Sequence, residues 1–153
     1  MKADSHPAQA ARLAALRDYD ILDTAPEEMF DDIIRLASEI CEMPMSLISF
    51  VDAERQWFKA ETGLGTQETP LDQSICAHAI LTDGFLEVRD TQLDARTRDN
   101  PLVTEDPNLR FYAGAVLFTP QGLPLGTLCV LDDKPRELTP LQRQTLKVLA
   151  KQV

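Results

Sequence analysis

The sequence predicts an α+β fold: an antiparallel β-sheet with N- and C-terminal helices on one face and loops or short helices on the other. Three features predict it. Two pairs of short apolar segments, 45–52 with 56–62 and 109–119 with 124–132, are each joined by a turn. Helical periodicity precedes the first pair and follows the second. Between the pairs lie two polar segments, 63–71 and 82–108, broken by Gly and Pro in the manner of long loops.

Each element has its own local reason. Residues 5–17 are alanine-rich, with Pro7 near the start and Leu13 and Leu16 three apart, a short helix with a thin apolar stripe. Thr24 and Glu27 have capping-box spacing with Pro26 in the first turn. Phe30, Ile33, Ile34, Ala37, Ile40 and Cys41 then follow helical spacing, and Pro44 ends the helix. Residues 45–52 place apolar side chains at both parities, which predicts a strand covered on both faces. The turn at 52–55 returns the chain into a second strand, on which Trp57 and Phe58 point to opposite sides. The second hairpin turns around Pro120-Gln121-Gly122. Within the long loop only 85–88 is strand-like, and Asp72 reads as the cap of a short helix carrying Ile75, Cys76, Ala79 and Ile80. Thr139, Pro140 and Gln142 form an N-cap, first-turn proline and N3 partner. The stripe Leu146, Leu149, Ala150, Val153 carries that last helix to the final residue.

Composition limits the function classes. The chain has 153 residues, 44% hydrophobic and 26% charged, as expected of one globular domain that needs no metal or disulfide to hold its core. A net charge of −10 repels phosphate backbones and anionic lipid, which argues against nucleic acid as a partner. No apolar run approaches the roughly 18 residues of a membrane span, so no membrane insertion is expected. The start Met1-Lys2-Ala3-Asp4 lacks a secretory layout, and a cytoplasmic location is expected. Cys41, Cys76 and Cys129 form an odd set without a C-x-x-C, so reduced thiols are expected. No Gly-rich phosphate loop, H-E-x-x-H or G-x-S-x-G is found, so no enzyme activity is expected within these residues.

If the terminal helices cover one apolar face of the sheet, the loops must close the other. A sheet roofed by irregular loops is a place where a small-molecule cavity forms, the alternative being a filled core.

Segments throughout the chain resemble the GAF domains, in particular the subgroup found N-terminal to bacterial sensor histidine kinases and diguanylate cyclases. They are RLAALRDYDILDTAPEEMFDDIIRLASEIC (12–41), SLISFVDAERQWFKAETGL (46–64), SICAHAI (74–80), LDARTRDNPLV (93–103), RFYAGAVLFTPQGLPLGTLCVLD (110–132) and LTPLQRQTLKVLAKQV (138–153). The resemblance implies a single domain over 1–153 with a PAS-like GAF fold. Its N-terminal helix would lie within 1–20, and its C-terminal helix, 139–153, would continue into an output domain, a kinase or diguanylate cyclase. It also implies a pocket for a small molecule or protein partner on one face, and terminal helices that pair into a homodimer. Bilin-binding relatives carry Cys immediately followed by His, whereas Ala77 separates Cys76 from His78. The Asn-Lys-x-Phe run of cyclic-nucleotide-binding relatives is not found. Neither ligand carries over, and the cofactor is unassigned.

The candidate ligand-binding residues are Trp57, Phe58, Cys76, His78, Asp90, Tyr112 and Cys129. Of Trp57, Phe58, Phe111 and Tyr112, strict alternation sends two to the side away from the helices, where they are candidates to line the pocket, although plain packing is the usual role of large rings. On a helix Cys76 and His78 lie about 200° apart; on an extended segment they share a face. A core cysteine beside a partly exposed histidine is the plain reading of this pair, and ligand contact, thiol chemistry or metal binding are the sharper ones. Asp90, Asp94, Arg96, Arg98 and Asp99 form either a solvated ion-pair cluster or an arginine clamp on an anion.

The leading expectation is a regulatory module that binds a small molecule or partner and signals through its terminal helices. The alternatives are a thiol-based redox sensor or reductase using Cys76, and a ligand-free dimerisation scaffold.

Overall fold

The structure is a computed structural model that describes residues 2–105 and 107–153. Its centre is a six-stranded antiparallel sheet in the order β3-β2-β1-β6-β5-β4, in which the neighbours β1–β2 and β5–β6 are the two predicted hairpins. The strands are β1 (Met45–Val51), β2 (Arg55–Thr62), β3 (Glu68–Pro70), β4 (Phe85–Val88), β5 (Phe111–Phe118) and β6 (Pro124–Asp132). The helices are α1 (Gln9–Asp18), α2 (Glu28–Cys41), α3 (Cys76–Ala79), α4 (Pro101–Thr104) and α5 (Pro140–Ala150). No helix among the described residues is long and apolar enough to cross a membrane.

Period-two alternation sorts the sheet into two apolar faces. Ile48, Phe50, Trp57, Phe111, Ala113, Leu128 and Val130 face the helices α1, α2 and α5, which contribute Leu16, Phe30, Ile34, Ala37 and Leu146. Leu47, Phe58, Tyr112, Val116, Cys129 and Leu131 face the segments between β2 and β5. A bulge adjusts the β1–β2 pairing: Ile48 opposes Ala60 and Ser49 opposes Phe58, so Lys59 has no partner on β1. Its buried ammonium is held by Thr24 Oγ1 at 2.7 Å, Ala25 O at 2.6 Å and Glu27 Oε2 at 2.7 Å.

Helix boundaries depart from the sequence reading in three places. The expected Thr24–Glu27 capping box is not formed; α2 begins at Glu28 with Glu27 as N-cap and no side-chain cap. Pro26 biases Ala25 to extended backbone, which moves the start downstream and frees the Thr24 hydroxyl to receive Lys59. The same helix ends at a left-handed Glu42 (φ 56°) before Pro44 is reached, with the Met43 N–H bonded to Ser38 O at 3.0 Å. The Arg136 guanidinium caps the freed carbonyls of Cys41 and Glu42 at 3.1 and 2.6 Å. At the other end of the chain α5 stops at Ala150, not Val153, because the last three N–H groups bond three residues back in a tightened turn. Its capping box is as expected, Gln142 N to Thr139 Oγ1 at 3.1 Å and Thr139 N to Gln142 Oε1 at 2.9 Å.

The layer opposite the helices contains more regular structure than its sequence advertises. Besides the expected strand-like 85–88 and the expected short helix, α3, it holds β3, a 3₁₀ turn at Leu71–Gln73 and α4. Asp72 lies in the 3₁₀ turn and does not cap α3; the Ser74 hydroxyl does, accepting from Ala77 N at 3.0 Å. Hydrogen bonds then tie the layer together: Thr91 Oγ1 to Leu109 O at 2.6 Å, Thr97 Oγ1 to Thr91 O at 2.7 Å and Asn100 Nδ2 to Gln73 O at 2.9 Å.

Candidate functional site

Cys76 lies at the middle of the loop-facing side of the sheet. The single turn of α3 points it down at β5 and β6, where alternation presents Tyr112, Thr127 and Cys129. Cys76 Sγ is 3.1 Å from Tyr112 Oη and 3.0 Å from Thr127 Oγ1, and Tyr112 Oη donates to Thr127 Oγ1 at 3.4 Å. All four side chains are buried. Gly114 makes room for the phenol, since a Cβ there would collide with the Tyr112 hydroxyl.

The cluster divides its protons unequally. Burial pushes the Cys76 thiol up, but hydrogen bonds from Cys129, Thr127 and Tyr112 outweigh it and lower the thiol to about 7. Burial first, then the hydrogen bond and charge of Cys76, raise Cys129 well above its ordinary value. Tyr112 is raised in the same way by burial and by the two sulfurs. Cys41, on the helix side, is raised to about 11 by burial, against the pull of Arg136.

Of the seven candidate residues, the structure brings together Cys76, Tyr112 and Cys129, with Phe58 in the same apolar cluster. Trp57 is not with them. The period of two puts it on the helix side of the sheet, in the core with Phe50 and Ala60. His78 turns away from Cys76, as one helical turn requires, and is buried where partial exposure was expected. Its charge adds to the lowering of Asp94, for which the Arg96 hydrogen bonds are the main cause. Asp90 is also separate: it accepts from Arg110 at 3.0 to 3.2 Å, and that pairing holds its carboxyl below the usual range. Arg96 closes on Asp94 at 2.7 and 3.0 Å, an internal ion pair where an anion clamp was the sharper expectation.

The expected cavity beneath the loops is filled. The space bordered by Leu47, Gln56, Cys76, Leu102, Tyr112 and Leu131 measures about 10 Å³. That is roughly one water, against the several hundred Å³ of a metabolite site. The reason is the packing of Ile75, Ile80, Val103 and Leu109 from the loop layer onto the sheet. Spaces of about 620 and 700 Å³ lie instead in open surface grooves, one between α2 and β2, the other between the end of β5 and α5. Among the described residues no group of three His, Cys, Asp or Glu is placed to hold a metal.

Sequence reasoning passed over Thr127, Glu87 and Arg143. Thr127 was readable, since it stands two before Cys129 on the same strand face. Glu87 accepts from Arg143 Nη2 at 2.7 Å and Nε at 3.2 Å, from Leu138 N at 3.2 Å and from Arg89 at 3.3 Å. Nothing local pairs residues so far apart in sequence. Through Glu87, β4 is bonded to α5, while its neighbours Leu86 and Val88 pack into the loop-side cluster. Phe85, on the Glu87 side, lies 5.5 Å beneath the Lys147 ammonium of α5.

Comparison with known proteins agrees with this architecture. The chain is 46% identical over 126 residues to a cyclic di-GMP phosphodiesterase of Pseudomonas aeruginosa, a match covering 82% of this chain but 22% of the relative. The GAF domain of a phosphoenolpyruvate-protein phosphotransferase from Coxiella burnetii superposes with a TM-score of 0.67 at 13% identity, over 94% of this chain and 88% of the other. The blue-light absorbing PixJ GAF domain of Thermosynechococcus elongatus gives 0.65 at 16% identity, over 92% and 84%. At such identities these structures share a fold, not a ligand. The GAF domain profile itself matches residues 25–153, and with the antiparallel sheet and its two layers this places the chain in the GAF domain family.

Proposed function

We propose that the chain is the regulatory sensory module of a longer bacterial signalling protein, located in the cytoplasm, in which the loop layer receives the signal and α5 passes it on. The observation that carries this reading is the double contact of β4. Leu86 and Val88 pack with the loop layer, whereas Glu87 and Phe85 engage α5. A rearrangement over one face of β4 therefore alters the seating of α5 on the other.

With the inner space filled, the signal is read as a shift between the packed loop layer and an opened one. A small molecule or partner drives that shift only by binding the two arrangements unequally. Leu141 and Val148, exposed on α5 and one heptad apart, support pairing of two copies through the terminal helices. The relative matched over a fifth of its length supports an output domain acting on cyclic di-GMP, and the module itself has a regulatory, not a catalytic, part.

The test is cyclic di-GMP turnover by the full-length protein carrying Val88→Ala or Asn100→Ala, each of which loosens the loop layer. Turnover altered several-fold, with the domain still folded, supports the reading. Unchanged turnover in both variants removes it.

A further inference from the structure

Cys76 and Cys129 reach the same spot from different layers, one from α3 above and one from β6 below. We propose that the pair is a peroxide-responsive dithiol whose closure to a disulfide staples the loop layer to the sheet. Three observations support it.

The first is placement. Cys76 Sγ lies 3.0 Å from Thr127 Oγ1 and 3.1 Å from Tyr112 Oη; Cys129 stands two residues beyond Thr127 on the same face of β6, opposite Gly114, over which that Tyr112 hydroxyl lies. The second is the division of protons. Cys76 is the acidic partner, surrounded by donors, and Cys129 keeps its proton, so one nucleophilic sulfur faces one resolving thiol. The third is access. Cys76 and Tyr112 border the void of about 10 Å³, too small for any organic oxidant, so of the thiol oxidants only one near the size of water, such as hydrogen peroxide, comes close to fitting beside the sulfur.

The chemistry balances with peroxide as the only co-reactant. The Cys76 thiolate attacks one peroxide oxygen; the S–O bond forms, the O–O bond breaks, and the departing hydroxide takes up a proton to leave as water. The Cys129 thiol then attacks the Cys76 sulfur. The S–S bond forms, the S–O bond breaks, and the hydroxyl leaves with the thiol proton as a second water. Two thiols are oxidised and one peroxide is reduced. Cys41, across the sheet with its thiol raised to about 11, serves as the internal control. The dithiol requires neither the β4 relay nor an output domain, so its failure would leave the regulatory reading standing.

The test treats the intact chain with hydrogen peroxide, then denatures it, alkylates it and maps the peptides. The expected result is loss of two alkylatable thiols per chain, a linked peptide pair containing Cys76 and Cys129, and Cys41 still alkylated. In Cys129→Ser, dimedone should label Cys76 as a persistent sulfenic acid, and the label should vanish in Cys76→Ser. Cys76 and Cys129 alkylated as in untreated protein, oxidised without linkage, or linked only between chains would each overturn the proposal. Should the variants not fold, the peptide map of the unaltered chain decides alone.

Discussion

Arg143 of α5 donates from both Nε and Nη2 to one oxygen of Glu87 on β4, at 3.2 and 2.7 Å. The other oxygen accepts the Leu138 N–H at 3.2 Å, just ahead of the cap that starts α5. A single carboxylate thus fixes both the entry and the first turns of the last helix against an edge strand. Its side chain is 11% exposed, so these bonds are shielded from water.

Replacing that carboxylate should loosen α5. Glu87→Gln is expected to lower stability by about 1.5–3 kcal/mol, the scale of hydrogen bonds to a charged group. Burial raises the Glu87 carboxyl, but the Arg143 and Leu138 bonds outweigh it and hold it below its ordinary value. The unfolded chain therefore binds the extra proton first. The stabilisation is complete above the unfolded carboxyl's pKa, roughly 4.3, and is lost as pH falls through the folded value. Urea titrations across that range should show a shallower acid loss in Glu87→Gln than in the parent chain; parallel curves would contradict this.

Tyr112→Phe should raise the Cys76 thiol above about 7, because one of the donors that lowers it is gone. The pH profile of thiolate absorbance in the ultraviolet, compared with the same profile in Cys76→Ser, measures it. A midpoint unmoved by the substitution would show that the phenol does not act on the sulfur.

Gly114→Ala forces a methyl into the Tyr112 hydroxyl and should cost about 1–3 kcal/mol, as overpacking does. Part of that cost should be recovered in the Gly114→Ala, Tyr112→Phe double variant, since the nearest clashing atom is then absent. Strict additivity of the two substitutions in thermal or denaturant unfolding would be the contrary finding.

Two of the leucines of α5 separate core from surface. Leu146 is fully buried, and Leu146→Ala should destabilise by about 2–5 kcal/mol. Leu141 is 72% exposed, and Leu141→Ala should stay within about 0.5 kcal/mol in the monomer. If α5 pairs with a second copy, Leu141→Ala should instead weaken self-association in sedimentation, which leaves a separate and readable outcome.

The sheet was legible because β1, β2, β5 and β6 are apolar at both parities and are joined by turns with clear residue chemistry. The α5 cap was legible because Thr139 and Gln142 sit at fixed spacing. The start of α2 was misplaced because Thr24 and Glu27 satisfy the same local rule while a distant lysine claims the hydroxyl. Cys76, Tyr112 and Cys129 were named as candidates, and Thr127, two before Cys129 on the same strand face, was readable with them. For the loop face the sequence left a cavity and a filled core as alternatives, and local pattern could not decide between them. Whether apolar side chains from α3 and α4 reach the sheet depends on how residues 63–110 cross it, and local pattern does not encode that path. Glu87 with Arg143 is a tertiary pair of the same kind.

The account depends most on β4 carrying a change in the loop layer to α5. Hydrogen exchange of the α5 amides, residues 141–150, in Val88→Ala tests this, with the same measurement in Val88→Ala, Glu87→Gln. The relay predicts faster α5 exchange in the single variant, and in the double variant no more than Glu87→Gln alone produces. Exchange in α5 unaffected by Val88→Ala, or two effects that simply add, would contradict it.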